Sequence, residues 1–139
     1  MNARLFLVAG SLMLAGCSTT GLGGGGTGGG SQPGSVPAAT ISSMGGGLVS
    51  GSIGAGLSGS ERRSGLEAEY KALEYTPSGQ PVTWKGQSNR HGEVVAAQPY
   101  RVGSQDCRQY THTVYTGGAG VSARGTACRN PDGSWTPLT

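Results

Sequence analysis

The chain has 139 residues, room for one domain, and 28 of them are glycine, about three times ordinary usage, which excludes a uniform globular fold. Ten Lys and Arg against seven Asp and Glu leave a formal charge of +3. The longest basic run is Arg62-Arg63, with no aromatic-interleaved basic stripe, so the composition supports no nucleic-acid partner. Residues 17–60 hold no charge and 16 glycines in 44 positions, whereas 61–139 hold all seven acids, nine of the ten bases, both Trp and all five Tyr. The core is therefore expected only in 61–139, near the size at which a covalent staple is needed for stability.

Residues 1–16 read as a signal peptide. One positive charge at Arg4 precedes an apolar stretch from Leu5 to Leu14, too short for a comfortable bilayer span and right for an export signal. Leu14-Ala15-Gly16-Cys17 resembles the lipobox of bacterial lipoproteins. That resemblance implies cleavage before Cys17, a thioether-linked diacylglyceryl group on its sulfur and an N-acyl group, palmitate in kind, on its amine. Two or more acyl chains make a stable anchor. Ser18 follows, where an Asp commonly marks inner-membrane retention in bacterial lipoproteins, so the resemblance leans towards the outer membrane.

Residues 17–40 read as a glycine-rich tether. Residues 41–60 hold seven glycines, six serines and seven apolar residues. Gly47, Gly51, Ala55 and Gly59 recur at spacing four, which on a helix gives one small-residue face for close packing against a membrane helix or a second copy. Glycine is costly in a helix, and continued tether is the competing reading.

A helix is expected from Ser60, or from Ser64, where Ser64-Gly65-Leu66-Glu67 fits a capping box, with an apolar face of Leu66, Tyr70 and Leu73 and a Glu67–Lys71 pair. Pro77 ends it. Strands are expected at 81–85, 92–98, 100–102, 105–116 and 119–130, with a last short one at Trp135; the fold class is α+β, one helix with an antiparallel meander of about five strands.

An exported chain processed at Cys17 leaves Cys107 and Cys128, an even pair that suggests a disulfide. A hairpin turning at Gly117-Gly118 pairs residues whose numbers sum to 235, and Cys107 and Cys128 do. The same register places Tyr110 opposite Gly125 and Val114 opposite Val121, with Tyr110, Val114, Val121, Ala123 and Ala127 on a core face and Gln109, Thr111 and Thr113 on the other.

The reading requires no cofactor and no metal. His112 lacks a nucleophile elbow or an oriented acid. Cys107, Cys128, His91 and His112 lack zinc-site spacing. Arg108 and Arg129 read as solvated strand charges, with an anion-binding pair as the other possibility. Trp84 and Trp135 read as core, with a binding patch as the other possibility.

The lipobox, the glycine-rich stretch before Glu61-Arg62-Arg63, Ala72-Leu73-Glu74, Pro77-Ser78-Gly79, Val82-x-Trp84, Cys107-Arg108-x-Tyr110-Thr111, Gly125-x-Ala127-Cys128-Arg129 and Asp132-Gly133-x-Trp135 together resemble the rickettsial 17 kDa surface antigen family. The resemblance implies a lipid-anchored outer-membrane surface antigen with a structural or interaction role and no catalysis. Residues 61–139 would be the antigen-like domain, with the membrane as partner through Cys17 and self-association through 41–60. The other class is an envelope-located binding or inhibitor module for a host hydrolase or cell-wall component.

Overall fold

A computed structural model describes residues 36–138. The signal peptide, Cys17 and most of the tether lie outside the described residues. Helix α1 (Ala38–Ser42) and two 3-10 turns (Leu48–Ser50 and Ser52–Gly54) precede the main helix α2 (Gly59–Glu74). Six strands follow: β1 (Pro81–Lys85), β2 (His91–Ala96), β3 (Tyr100–Val102), β4 (Gln105–Tyr115), β5 (Val121–Arg129) and β6 (Trp135–Pro137).

Helix α2 starts at Gly59, one residue before the Ser60 start expected. Ser58 is the N-cap: its hydroxyl accepts from Glu61 N–H (3.2 Å), and the Glu61 carboxylate accepts from Ser58 N–H (2.9 Å). This reciprocal capping box satisfies two of the otherwise orphaned donors. The Ser64 box does not form. Glu67 turns back to Arg63 (3.1 Å) rather than forward to Lys71.

The strands form one antiparallel sheet in the order β1-β2-β4-β5-β6, with β3 also beside β4. β2 and β3 share one edge of β4. Ala96 pairs with Tyr110 and Tyr100 with Cys107, so residues 97–99 face only 108–109. That is a bulge. Pro99, which has no N–H to donate, sits in it, while Ala97 N–H still reaches Gln109 O (2.8 Å). The expected five-strand meander is thus present with its second strand bent in two. The 235 register holds from Val114↔Val121 to Cys107↔Cys128.

α2 packs across one face of β1, β2 and β4. Tyr70, Leu73, Trp84, Val94, Tyr110 and Val114 form the centre of the core. Val121 corrects the sequence reading: it lies at the open end of β5 and is 56% exposed, although its partner Val114 is buried.

The larger correction concerns residues 41–60. They are neither a single helix nor a free tether. From Val36 to Leu57 the chain runs as a strap of short turns over the helix–sheet core. Val36, Ile41, Met44, Val49, Ile53 and Leu57 are all buried in that core, each side chain contributing about 1.5–3 kcal/mol if fully buried. The core therefore begins before residue 61. Gly47, Gly51, Ala55 and Gly59 share no helix face: Gly51 joins the two 3-10 turns, Ala55 ends the second, and Gly59 opens α2. Three glycines in a row at 45–47, all with positive φ, break the helix that spacing four would need.

Gly47 shows why glycine stands there. Its φ is +62°, and a Cβ would overlap the Glu69 carboxylate. Gly47→Ala is expected to destabilise the fold by about 1–3 kcal/mol, from backbone strain and the displaced carboxylate. Gly56→Ala, at a position open to space, is the control. Equal urea midpoints for the two variants would contradict this.

Candidate functional site

The polar cluster beneath the strap is built by three elements. Glu69 lies on the core-facing side of α2, His112 on the inner face of β4, and Trp84 on β1. Glu69 and His112 are fully buried and Trp84 is 6% exposed. Trp84 Nε1–H donates to His112 Nε2 (2.9 Å), so that nitrogen carries no proton. Nδ1 therefore holds the ring proton, an assignment made from the bonding network, and donates to Glu69 Oε1 (2.7 Å). Glu69 also accepts from Leu48 N–H on Oε2 (3.1 Å) and from Val49 N–H on Oε1 (3.0 Å). A carboxyl group in a dry interior needs such partners. Gly65 lets the cluster close, since it brings α2 against the His112 and Trp84 rings, where a Cβ would stand 3.1 Å from the imidazole.

A second buried carboxylate ties α2 to the β1–β2 turn. Glu61 is 2% exposed and accepts from Gln87 N–H (2.9 Å) and from Arg90 Nη2 (2.7 Å), besides Ser58. Arg90, then the two backbone donors, hold its carboxyl at about 2, against an ordinary 4.5. Because the folded value is depressed, its contribution to stability is complete above about 4.5 and is lost as pH falls towards 2. Unfolding midpoints measured down this range should fall, and Glu61→Gln should flatten that slope. An unchanged slope in the variant would contradict the assignment.

The disulfide joins Cys107 to Cys128 across directly opposed β4 and β5 positions, with Cα atoms 4.0 Å apart. Both cysteines are therefore committed, and His91 is on the far side of the sheet's pairing from His112: it is exposed and stacks on Tyr115 with ring centroids 4.7 Å apart. The four zinc candidates are not brought together. No group of three His, Cys, Asp or Glu placed to hold a metal occurs among the described residues.

Arg108 and Arg129 correct the solvated-charge reading. Arg108 is 6% exposed and points into the core. Its Nη1 donates to the carbonyls of Ala72 (3.0 Å), Leu73 (2.8 Å) and Thr76 (3.0 Å), and its Nε to Ala97 (2.8 Å). It caps the C-terminus of α2, where carbonyls lack intrahelical partners and the dipole favours a cation. Burial pulls its pKa below the usual arginine value. Arg129 instead forms a two-bond pair with Glu74 (2.9 and 3.0 Å), and Trp135 Nε1–H donates to the same carboxylate (2.7 Å). Both tryptophans are core residues with their N–H groups used.

A cleft of about 400 Å³ lies between the strap and β5–β6, lined by Met44, Leu48, Tyr110, Arg124, Pro137 and Leu138 among others. It gathers no acid or histidine. No described helix is long and apolar enough to cross a membrane.

Residues 71–136, from the middle of α2 into β6, match a family model described as 17 kDa outer membrane surface antigen. Over this domain the chain is similar to the 17 kDa surface antigens. The resemblance drawn from the sequence is thereby borne out. The 17 kDa surface antigen of Rickettsia bellii is 42% identical over 85 residues, 60% of this chain and 54% of that protein. That of Rickettsia felis is 44% identical over 82 residues, 58% and 52% of the two chains, and that of Rickettsia prowazekii 45% over 67 residues, 47% and 42%. The chain spans about half the length of the curated relatives it matches. No solved structure matches it. The family match includes the disulfide, Arg108 and His112 but neither the strap nor Glu69.

Proposed function

We propose that this chain is a lipid-anchored surface antigen of a bacterial outer membrane with a structural or interaction role and no catalytic activity. The observation that carries this is the similarity of residues 71–136 to outer membrane surface antigens, on a chain whose Leu14-Ala15-Gly16-Cys17 has the form of a lipobox. Cys17 carries diacylglyceryl and N-acyl groups after removal of 1–16, and the strap-and-sheet domain stands off the membrane on the glycine-rich tether. The buried Cys107–Cys128 bridge fits an exported chain. The non-catalytic role is supported by His112, whose two ring nitrogens are both occupied inside the core, leaving it unable to serve as a general base.

Cys17→Ser tests the anchor. The variant is expected to lose the lipid and to leave the membrane fraction on carbonate extraction, or to accumulate with residues 1–16 attached. A variant that is processed and stays in the membrane as firmly as the parent would overturn lipid anchoring.

A further inference from the structure

The edges β1, β3 and β6 of the sheet are blunted. β3 and β6 are three residues long, β6 ends in Pro137, and β1 opens on Pro81 and closes on Lys85. Short strands, proline and lysine keep an edge from pairing with another chain. The outer edge of β5 lacks these devices. β6 pairs only with residues 127–129, and Leu138 N–H adds one bond to Thr126 O (2.8 Å). Among the described residues no strand lies beside 121–125 on the side away from β4. The Thr126 carbonyl points away from β4. The alternation of an antiparallel ladder then points the N–H and C=O of Ser122 and Arg124 the same way. Both residues are exposed.

The two sides of this edge differ in chemistry. The inner side opens on the cleft walled by Met44, Leu48, Pro137 and Leu138. Val121 and Leu138, at its two ends, are 56% and 55% exposed. The outer side carries Arg124. Its cross-strand partner is Thr111, and Ser122, Thr126, Gln109 and Thr113 around it bear no charge. Arg124 forms no ion pair among the described residues, and no acid lines the cleft.

We propose that the free edge of β5 at residues 121–125 takes up an extended protein segment as an added antiparallel strand, one in which apolar residues alternate with acidic ones.

The pleat sets that pattern. Successive side chains of an added strand point to opposite faces. One set enters the apolar cleft, and the other lies on the outer face beside Arg124, where an acid meets the unpaired guanidinium. The main-chain bonds to Ser122 and Arg124 hold the strand, and the alternate side chains select it. A second copy of the same edge is a poor occupant. Antiparallel self-pairing would bring both Arg124 side chains to one face within two residues of each other, and like charges so placed repel. The inference rests on the interaction role proposed above and gives it a site and a partner class. It does not depend on the lipid anchor, which the Cys17 variant tests separately.

The probe is a peptide in which Val and Glu alternate between terminal prolines, added to the full chain in detergent, with amide hydrogen exchange as the readout. Protection of the Ser122 and Arg124 amides is expected to rise at least about tenfold, since each gains an inter-strand bond, while β4 amides change little. The acid opposite Arg124 exchanges both main-chain bonds with it, so N-methylation of the Glu nitrogens should abolish the gain and N-methylation of the Val nitrogens should spare it. A peptide with Lys in place of Glu should give no gain on the parent chain, and Arg124→Glu should reverse the preference between the two peptides. No gain at Ser122 and Arg124 with the Glu peptide would overturn the proposal. So would an equal gain with the Lys peptide, or one that survives methylation of the Glu nitrogens. Protection that rises with protein concentration in the absence of peptide would assign the edge to a second copy and overturn it as well.

Discussion

Cys107→Ser is expected to lower the stability of the domain by about 3 kcal/mol. The bridge closes a loop of 21 residues in sequence separation, and removing such a constraint frees the unfolded chain by roughly that amount. It also joins the two strands that carry Tyr110, His112 and Ala127, three of the most buried positions in the molecule. In a domain of this size total stability is on the order of 5–10 kcal/mol, so the loss is a large fraction. Urea unfolding of the variant against the oxidised parent measures it, and the reduced parent should match the variant. Coincident curves for oxidised and reduced parent would contradict a structural role for the bridge.

The second large effect is expected at Arg108. Arg108→Ala removes four hydrogen bonds to backbone carbonyls and leaves the last turn of α2 without its cation. Bonds from a charged donor contribute about 1.5–3 kcal/mol each, and buried carbonyls left without a partner add to the cost. Water entering the vacated space offsets part of it. A net loss of about 3 kcal/mol follows. Arg108→Lys should recover only a fraction, because a single ammonium cannot reach the helix end and Ala97 at once. Arg129→Ala, on a part-buried pair whose arginine is 40% exposed, should cost less than Arg108→Ala, about 1 kcal/mol. If the two alanine variants unfold together, the capping role of Arg108 is wrong.

The sheet was legible because two independent signals agreed. The Gly117-Gly118 turn and the cysteine pair both point to a sum of 235, and a pleat of period two then assigns every side chain on β4 and β5 to a face. His112 falls between Tyr110 and Val114 on that face, so its burial could have been inferred by parity. Glu69 gave a similar signal, three residues after Leu66 and one before Tyr70 on the apolar side of α2. Both are polar, and polar residues are placed outside unless a partner is known. The partners here come from other elements: a tryptophan on β1 and two amides on the strap. Arg108 was missed for the same reason. Its partners are carbonyls at the end of a helix, which no side-chain pattern displays.

The strap was illegible for a different reason. Its apolar residues are spaced by five, three, five, four and four, from Val36 to Leu57, and match neither a helix nor a strand. Such a segment orders only because a preformed helix–sheet surface accepts it and Glu69 meets its amides. The glycines that suggested a packing helix permit tight turns and a close carboxylate instead.

The most direct test of the anchored, stapled account is the intact mass of the chain extracted from membranes, before and after reduction. The account predicts a chain that starts at Cys17, carries the mass of its acyl groups and gains on reduction one hydrogen at each of Cys107 and Cys128. A chain that retains Met1 and has no lipid would contradict it.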